Sequence, residues 1–236
     1  PIQGRPDLVM KYKALPAGKR HKNPEYAAMI QSVDEAIGRV RAQLKESGIA
    51  DRTLIVFTSD NGGVRRNTSN NDPLRGEKGQ HWEGGTRVPA IVLWPGVTPA
   101  GSVCAEPIIT MDFYPTILNI TGVTGNTDHN QSVDGLSLVP LLKDPAASLD
   151  REALYWHYPH YNVFIGVPYS AIRAGEYKLI HYYEDGHDEL YNLAEDLSET
   201  SDVSKAYPKL TARLERRLQK HLKQVGAQMP VPDLKN

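Results

Sequence analysis

The sequence predicts an α/β fold: part of a large mixed sheet flanked by helices, followed by a small antiparallel sheet with a packed C-terminal helix. Three observations carry this. Ile30, Val33, Ile37, Val40 and Leu44 recur at alternating spacings of three and four, the period of a helix with one apolar stripe facing a sheet. Two β-type runs follow, Thr53-Leu54-Ile55-Val56-Phe57-Thr58-Ser59 and Ala90-Ile91-Val92-Leu93-Trp94. Beyond residue 154 the pattern changes to short strands between glycine-containing turns, and the chain closes with Leu210, Leu214, Leu218 and Leu222 at four-residue intervals.

In chain order, residues 1–23 are rich in Pro, Gly, Lys and Arg and read as a surface loop. Pro24 opens the first helix and Gly48 closes it. Residues 54–58 form a buried strand, 60–85 a long functional loop, and 90–94 a second strand stopped by Pro95-Gly96. Another helix begins at 115–119, and 126–134 is polar and turn-like. The character shifts after Pro145, which sets a first region at 1–146 and a smaller one at 147–236. In the latter, strands at 154–158, 170–174, 178–183 and 189–192 make an antiparallel meander, and a helix over 208–224 covers one of its faces.

Composition narrows the classes of partner. With 236 residues, 40% hydrophobic, 23% charged and net charge −1, the chain can bury one large or two modest cores. No basic stripe supports binding to nucleic acid by counterion release. No apolar run approaches a membrane span, and no signal peptide opens at Pro1. The single cysteine, Cys104, cannot form an internal disulfide and reads as a small buried or semi-buried residue. Three glycosylation sequons, at Asn67, Asn119 and Asn130, are short enough to arise by chance.

The chemistry concentrates where the first strand ends. Asp60-Asn61-Gly62-Gly63 offers carboxylate and amide oxygens to a hard cation at the carboxyl edge of a sheet; the bland reading is a strand-terminating Asx turn. Lys78, flanked by Gly76 and Gly79, offers a point charge to an oxyanion, against the usual fate of a solvated lysine. Arg87 lies four residues after Glu83, the spacing of a structural ion pair, and Trp82 reads as core. His81 sits near Lys78 in the same loop. Tyr155-Trp156-His157-Tyr158-Pro159-His160-Tyr161 gathers aromatic rings and imidazoles suited to a sugar; the alternative is a strand whose alternate members pack inward. A zinc site at His157 and His160 lacks two further ligands.

Asp60-Asn61-Gly62-Gly63 and Lys78-Gly79-Gln80-His81-Trp82-Glu83-Gly84-Gly85-Thr86-Arg87-Val88-Pro89 together resemble the type I sulfatases of the alkaline phosphatase superfamily. The resemblance continues through Met111-Asp112-Phe113-Tyr114-Pro115-Thr116, Asp134-Gly135-Leu136-Ser137-Leu138, Tyr177-Lys178-Leu179-Ile180 and Glu189-Leu190-Tyr191-Asn192-Leu193. It implies that Asp60 and Asn61 bind one calcium ion, that Lys78 contacts the sulfate, and that His81, His157 and His160 border the substrate. It also implies a hydrated formylglycine nucleophile, made from a Cys/Ser-x-Pro-x-Arg motif that this sequence lacks. The leaving-group acid would be a histidine, either one lying before Pro1 or His81.

The chain therefore resembles the C-terminal part of a sulfatase, expected to be inactive without the N-terminal part of the same enzyme. The substrate implied is a sulfated small molecule, with sulfated carbohydrate preferred over a simple aryl sulfate. The compartment implied is periplasmic, secreted or lysosomal in type. The competing readings are a phosphatase or phosphodiesterase of the same superfamily and a noncatalytic sulfatase-like binding module.

Overall fold

The computed structural model describes residues 2–64, 68–161 and 166–231. Pro1 and the Asn67 sequon position lie outside the described residues. In chain order the elements are α1 (Pro6–Lys13), α2 (Pro24–Glu46), β1 (Ile55–Thr58), α3 (Glu83–Thr86), β2 (Ala90–Leu93), α4 (Phe113–Thr121), α5 (Thr127–Asn130), α6 (Val139–Lys143), β3 (Leu154–Tyr158), β4 (Tyr169–Ala174), β5 (Tyr177–Tyr182), β6 (Asp188–Asn192) and α7 (Pro208–Gln224). They fall into two compact units that interleave along the chain. One comprises Pro1–Ile37, Ser59–Pro89 and Ala153–Asn236; the other comprises Gly38–Thr58 and Ala90–Glu152.

In the first unit the meander forms as the alternation requires, with sheet order β3-β4-β5-β6 and every pair antiparallel. The register places Trp156 opposite Ala171, Ala171 opposite Ile180, and Lys178 opposite Tyr191. Because side chains alternate across a strand, the two faces have separate compositions. One face carries Ile172, Leu179 and Leu190, which pack against Leu214, Leu218 and Leu222 of α7. The other carries Ala171, Ile180, Tyr182 and Tyr191, with Trp82 from the preceding loop laid on them.

Residues 1–23 are not all loop. Pro6 at the first helical turn, Asp7 beside it and Lys11 and Lys13 in the last turn give α1 favourable charges at both ends. Its Leu8 and Val9 bury against Ala28 of α2.

In the second unit β1 pairs antiparallel with β2, Ile55 opposite Leu93 and Phe57 opposite Ile91. Leu54, Val56 and Val92 meet Phe113, Ile117 and Leu142 around a small apolar gap. The pair is thinly covered among the described residues: on the α4 side Val56 is 39% exposed, and on the reverse face Phe57 is 37% exposed, Leu93 40% and Ile91 62%. The expectation of a buried strand at 54–58 is thus corrected, because no described element covers that face. Likewise Ile30, Val33 and Val40 of α2 are exposed rather than laid on a sheet. Cys104 is also exposed, not buried, since Ser102-Val103-Cys104 lies in a loop between β2 and α4.

Asp112, fully buried, organises this second unit. Its carboxylate accepts from the amides of Ile109 and Leu136, both at 2.9 Å, and pairs with the Arg151 guanidinium. The Thr116 hydroxyl donates to the Asp112 carbonyl at 2.6 Å and accepts from the Leu138 amide at 2.8 Å. Asp112 and Thr116 are therefore braces that tie 111–116 to 134–138.

Candidate active site

The Asp60-Asn61 end and the Lys78 turn are welded together by main chain. The Gly62 amide donates to the Gly85 carbonyl at 3.0 Å, and the Lys78 amide donates to the Gly63 carbonyl at 3.3 Å. Side chains larger than hydrogen cannot enter this seam, since a Cβ on Gly62 would stand 1.7 Å from the Gly84 carbonyl oxygen. Asn71 completes the weld: its amide nitrogen donates to the carbonyls of Gly63 at 2.8 Å and Gly76 at 3.0 Å, while its Oδ1 accepts from the Gly63 amide at 3.1 Å. Nothing in the sequence singled out Asn71. An amide two residues before a proline reads as turn chemistry, and its three partners lie up to eight residues away.

The side chains of Asp60, Asn61 and Lys78 then project from this frame. Asp60 is exposed and Asn61 half-buried, and the Ser59 hydroxyl donates to the Asn61 carbonyl at 3.0 Å. Lys78 is exposed at the tip of a tight turn closed by the Gln80 amide on the Glu77 carbonyl at 2.9 Å. An exposed carboxylate, an adjacent amide oxygen and a nearby lysine suit a hard cation and an oxyanion. They supply only part of a coordination shell: among the described residues no three His, Cys, Asp or Glu side chains gather as a metal centre.

Beneath the loop lies a buried charge cluster that sequence reasoning missed. Lys178 on β5 reaches Glu83 at 3.0 Å and Glu199 at 2.9 Å. The Glu199 carboxylate also accepts from the Glu83 amide at 2.6 Å, at the start of α3. Glu199 is fully buried and holds a left-handed backbone at φ +50°, rare for a residue with a side chain. Burial pushes its carboxyl upward in pKa, while the Lys178 ammonium pulls it down. Arg87 and Arg173 each approach Glu83 at 3.7 Å, so Arg87 makes the ion pair its spacing predicts. Arg75 donates to the Glu199 carbonyl at 2.7 Å and lies 3.9 Å over the Trp82 ring. Together these contacts fasten the loop carrying Lys78 onto the meander.

The three histidines sit in three different settings. His81 is buried, only 3% exposed, and its Nε2 lies 2.7 Å from the Tyr182 hydroxyl, which donates to Glu189 at 2.7 Å. That chain places the imidazole proton on Nε2; Nδ1 is left without a hydrogen-bond partner among the described residues. Burial, reinforced by the charges of Lys178 and Arg75, lowers its pKa to about 3. His81 is thus a neutral core imidazole at physiological pH and is unsuited to protonate a leaving group.

His157 points to the α7 face, the side opposite the Trp82 loop, as its register beside Trp156 dictates. Both its nitrogens are engaged, Nδ1 with the Ser170 hydroxyl at 2.6 Å and Nε2 with the Gln228 carbonyl at 2.8 Å. Tyr155 on the same face stacks on His221 at 3.7 Å. His160 is exposed just beyond β3, its ring edge-on to Tyr158. The aromatic stretch is therefore mainly packing, divided between two faces.

Fold and loop together place Asp60, Asn61 and Lys78 on one main-chain frame in an α/β protein. The sequence matches the family described as Sulfatase over residues 9–123 and that described as N-sulphoglucosamine sulphohydrolase, C-terminal, over residues 77–227. The chain belongs to the sulfatase family. A protein named Sulfatase from Formosa agariphila is 39% identical over 218 residues, covering 86% of this chain and 39% of that protein. The crystal structure of Ps i-CgsB in complex with k-i-k-neocarrahexaose superposes with a TM-score of 0.77 at 31% identity, over 94% of this chain and 47% of the other. BT4656, in complex with its substrate D-glucosamine-2-N,6-O-disulfate, gives a TM-score of 0.72 at 28% identity, over 100% and 45%. The chain thus spans between about two-fifths and half the length of these relatives.

Proposed function

We propose that this chain supplies the cation-holding and sulfate-gripping portion of a sulfuric ester hydrolase that acts on sulfated carbohydrate. The observation that carries this reading is the main-chain weld of Gly62 to Gly85 and Lys78 to Gly63, which mounts Asp60, Asn61 and Lys78 on one frame. Asp60 and Asn61 would hold calcium through oxygen, completed by ligands from outside this chain. When bound, that ion supplies charge neutralisation to the sulfate oxygens. Lys78 grips a nonbridging oxygen, and its turn, anchored on the meander by Glu83, Lys178 and Glu199, holds the ammonium in place as charge develops. The nucleophile, a formylglycine, and the leaving-group acid come from the N-terminal part of the enzyme. The neutral, buried state of His81 supports placing the acid there. Sulfated carbohydrate is favoured because one structural relative carries a sulfated glucosamine as its substrate.

The test is made on the full-length protein with 4-nitrophenyl sulfate. Asp60→Ala should remove both bound calcium, measured by elemental analysis, and turnover. Lys78→Ala should keep the metal and lower kcat by about a hundredfold, the loss expected when about 3 kcal/mol of oxyanion stabilisation is withdrawn. An unchanged rate in Lys78→Ala would remove that residue from the sulfate site.

A further inference from the structure

A cleft of about 670 Å³ opens beside the weld, within the range of small-ligand sites. Its walls come from the segment before α2, with Arg20 and Lys22, and from the loop 68–72, with Ser69 and Asn70. The second wall is fastened directly to the Asp60-Asn61 end: the Ser69 amide and hydroxyl donate to the Val64 carbonyl at 3.0 and 2.8 Å, and Asn71 holds Gly63. Arg20 and Lys22 are both exposed, and the Arg20 guanidinium is steadied by a 3.1 Å bond to the Asp72 carbonyl. Asn70 uses its Oδ1 on the Asp72 amide at 2.7 Å, which leaves its amide nitrogen as a donor. The Asp72 side chain is the one carboxylate among the described lining residues. Two cations against one anion stand out in a chain whose net charge is −1.

We infer that this cleft is a subsite for a second anionic group, a sulfate or carboxylate on a neighbouring sugar of the same glycan, held by Arg20 and Lys22. The inference rests on the sulfuric-ester reading of the adjoining loop and narrows its substrate to a polyanionic oligosaccharide rather than an isolated monosulfate. A guanidinium offers paired donors to either oxyanion, and the ammonium adds a point charge. The contact would be strongly salt-dependent, as expected of exposed charges.

Binding can be read apart from turnover. Calorimetric titration of the full-length protein with a heparin hexasaccharide should show an affinity at least tenfold weaker in R20A/K22A and in Lys22→Glu alone. K11A/K13A, which removes two charges from α1 outside the cleft, should stay within twofold. A desulfated hexasaccharide, retaining its carboxylates, tells the two anions apart: if R20A/K22A still weakens its binding tenfold the group in the cleft is a carboxylate, and if the parent protein and R20A/K22A bind it alike the group is a sulfate. Absence of binding by the parent protein, unchanged affinity in the cleft variants, or an equal loss in K11A/K13A would each overturn the subsite. Hydrolysis of 4-nitrophenyl sulfate by the parent protein and by K11A/K13A reports separately on the sulfuric-ester reading.

Discussion

The two sheets of this chain are finished to different degrees. The β3-β4-β5-β6 meander is covered on one face by α7 and on the other by the loop with Trp82, and its central side chains are inaccessible. The β1-β2 pair has α4 and α6 near one face while Phe57, Ile91 and Leu93 stand exposed on the other. Burial of apolar area drives folding, so among the described residues the meander gains far more of that stabilisation than the pair does. The difference teaches where the described residues leave apolar side chains exposed: on the β1-β2 pair rather than on the meander that anchors the Lys78 loop.

The most forceful way to break this contrast is to attack the meander from inside. Lys178→Ala leaves Glu83 and Glu199 buried without their common cation, which should cost about 3–5 kcal/mol in chemical denaturation. A loss below 1 kcal/mol would mean that water reaches the cluster and the meander is not closed.

A gentler probe uses pH. His81 binds its proton at about pH 3 when folded and near 6.5 when unfolded, so between those values the unfolded chain holds more protons. Stability should therefore fall as pH drops through this window, by up to about 1.4 kcal/mol per pH unit from this group. Glu199, with its raised carboxyl pKa, contributes a slope of opposite sign just above the ordinary glutamate range. The difference between parent and His81→Gln denaturation curves isolates the histidine; identical slopes would place His81 in contact with solvent.

The smallest effect belongs to the bare face. Ile91→Thr should change the stability of residues 1–236 alone by less than about 0.5 kcal/mol, because an exposed side chain has little burial to lose. The same substitution in the full-length protein should cost more if that face is covered there. Equal, negligible losses in both would show that the face is never buried.

Much of the fold was legible. The four meander strands emerge at their expected places, with β4, β5 and β6 each starting one residue earlier, because period-two alternation and glycine turns are local signals. Helix α7 begins at Pro208 and ends at Gln224, as the leucine spacing requires. The short α1 was hidden by the charge and proline around it. The proposed site divides similarly: Asp60, Asn61 and Lys78 stand out by residue type next to glycine, and their loop segments share one main-chain frame. The Lys178 cluster could not be read, since Glu83 meets Lys178 across 95 residues and Glu199 across 116. The histidines are harder to read because imidazole is equally at home in a core. Only strand parity, which sends His157 to the α7 side, separates the roles.

The seam between Gly62 and Gly84 has a bearing on protein engineering. Because a side chain at Gly62 would run into the Gly84 carbonyl, and one at Gly84 into the carbonyls of Arg75 and Gly76, these segments form a lock whose parts have no use apart. A transplant of the Asp60-Asn61 tip into a new scaffold must bring 59–89 whole, and with it the meander that carries Lys178. The portable cassette is thus a discontinuous pair of segments, and a library that randomises the tip has to hold the lock constant.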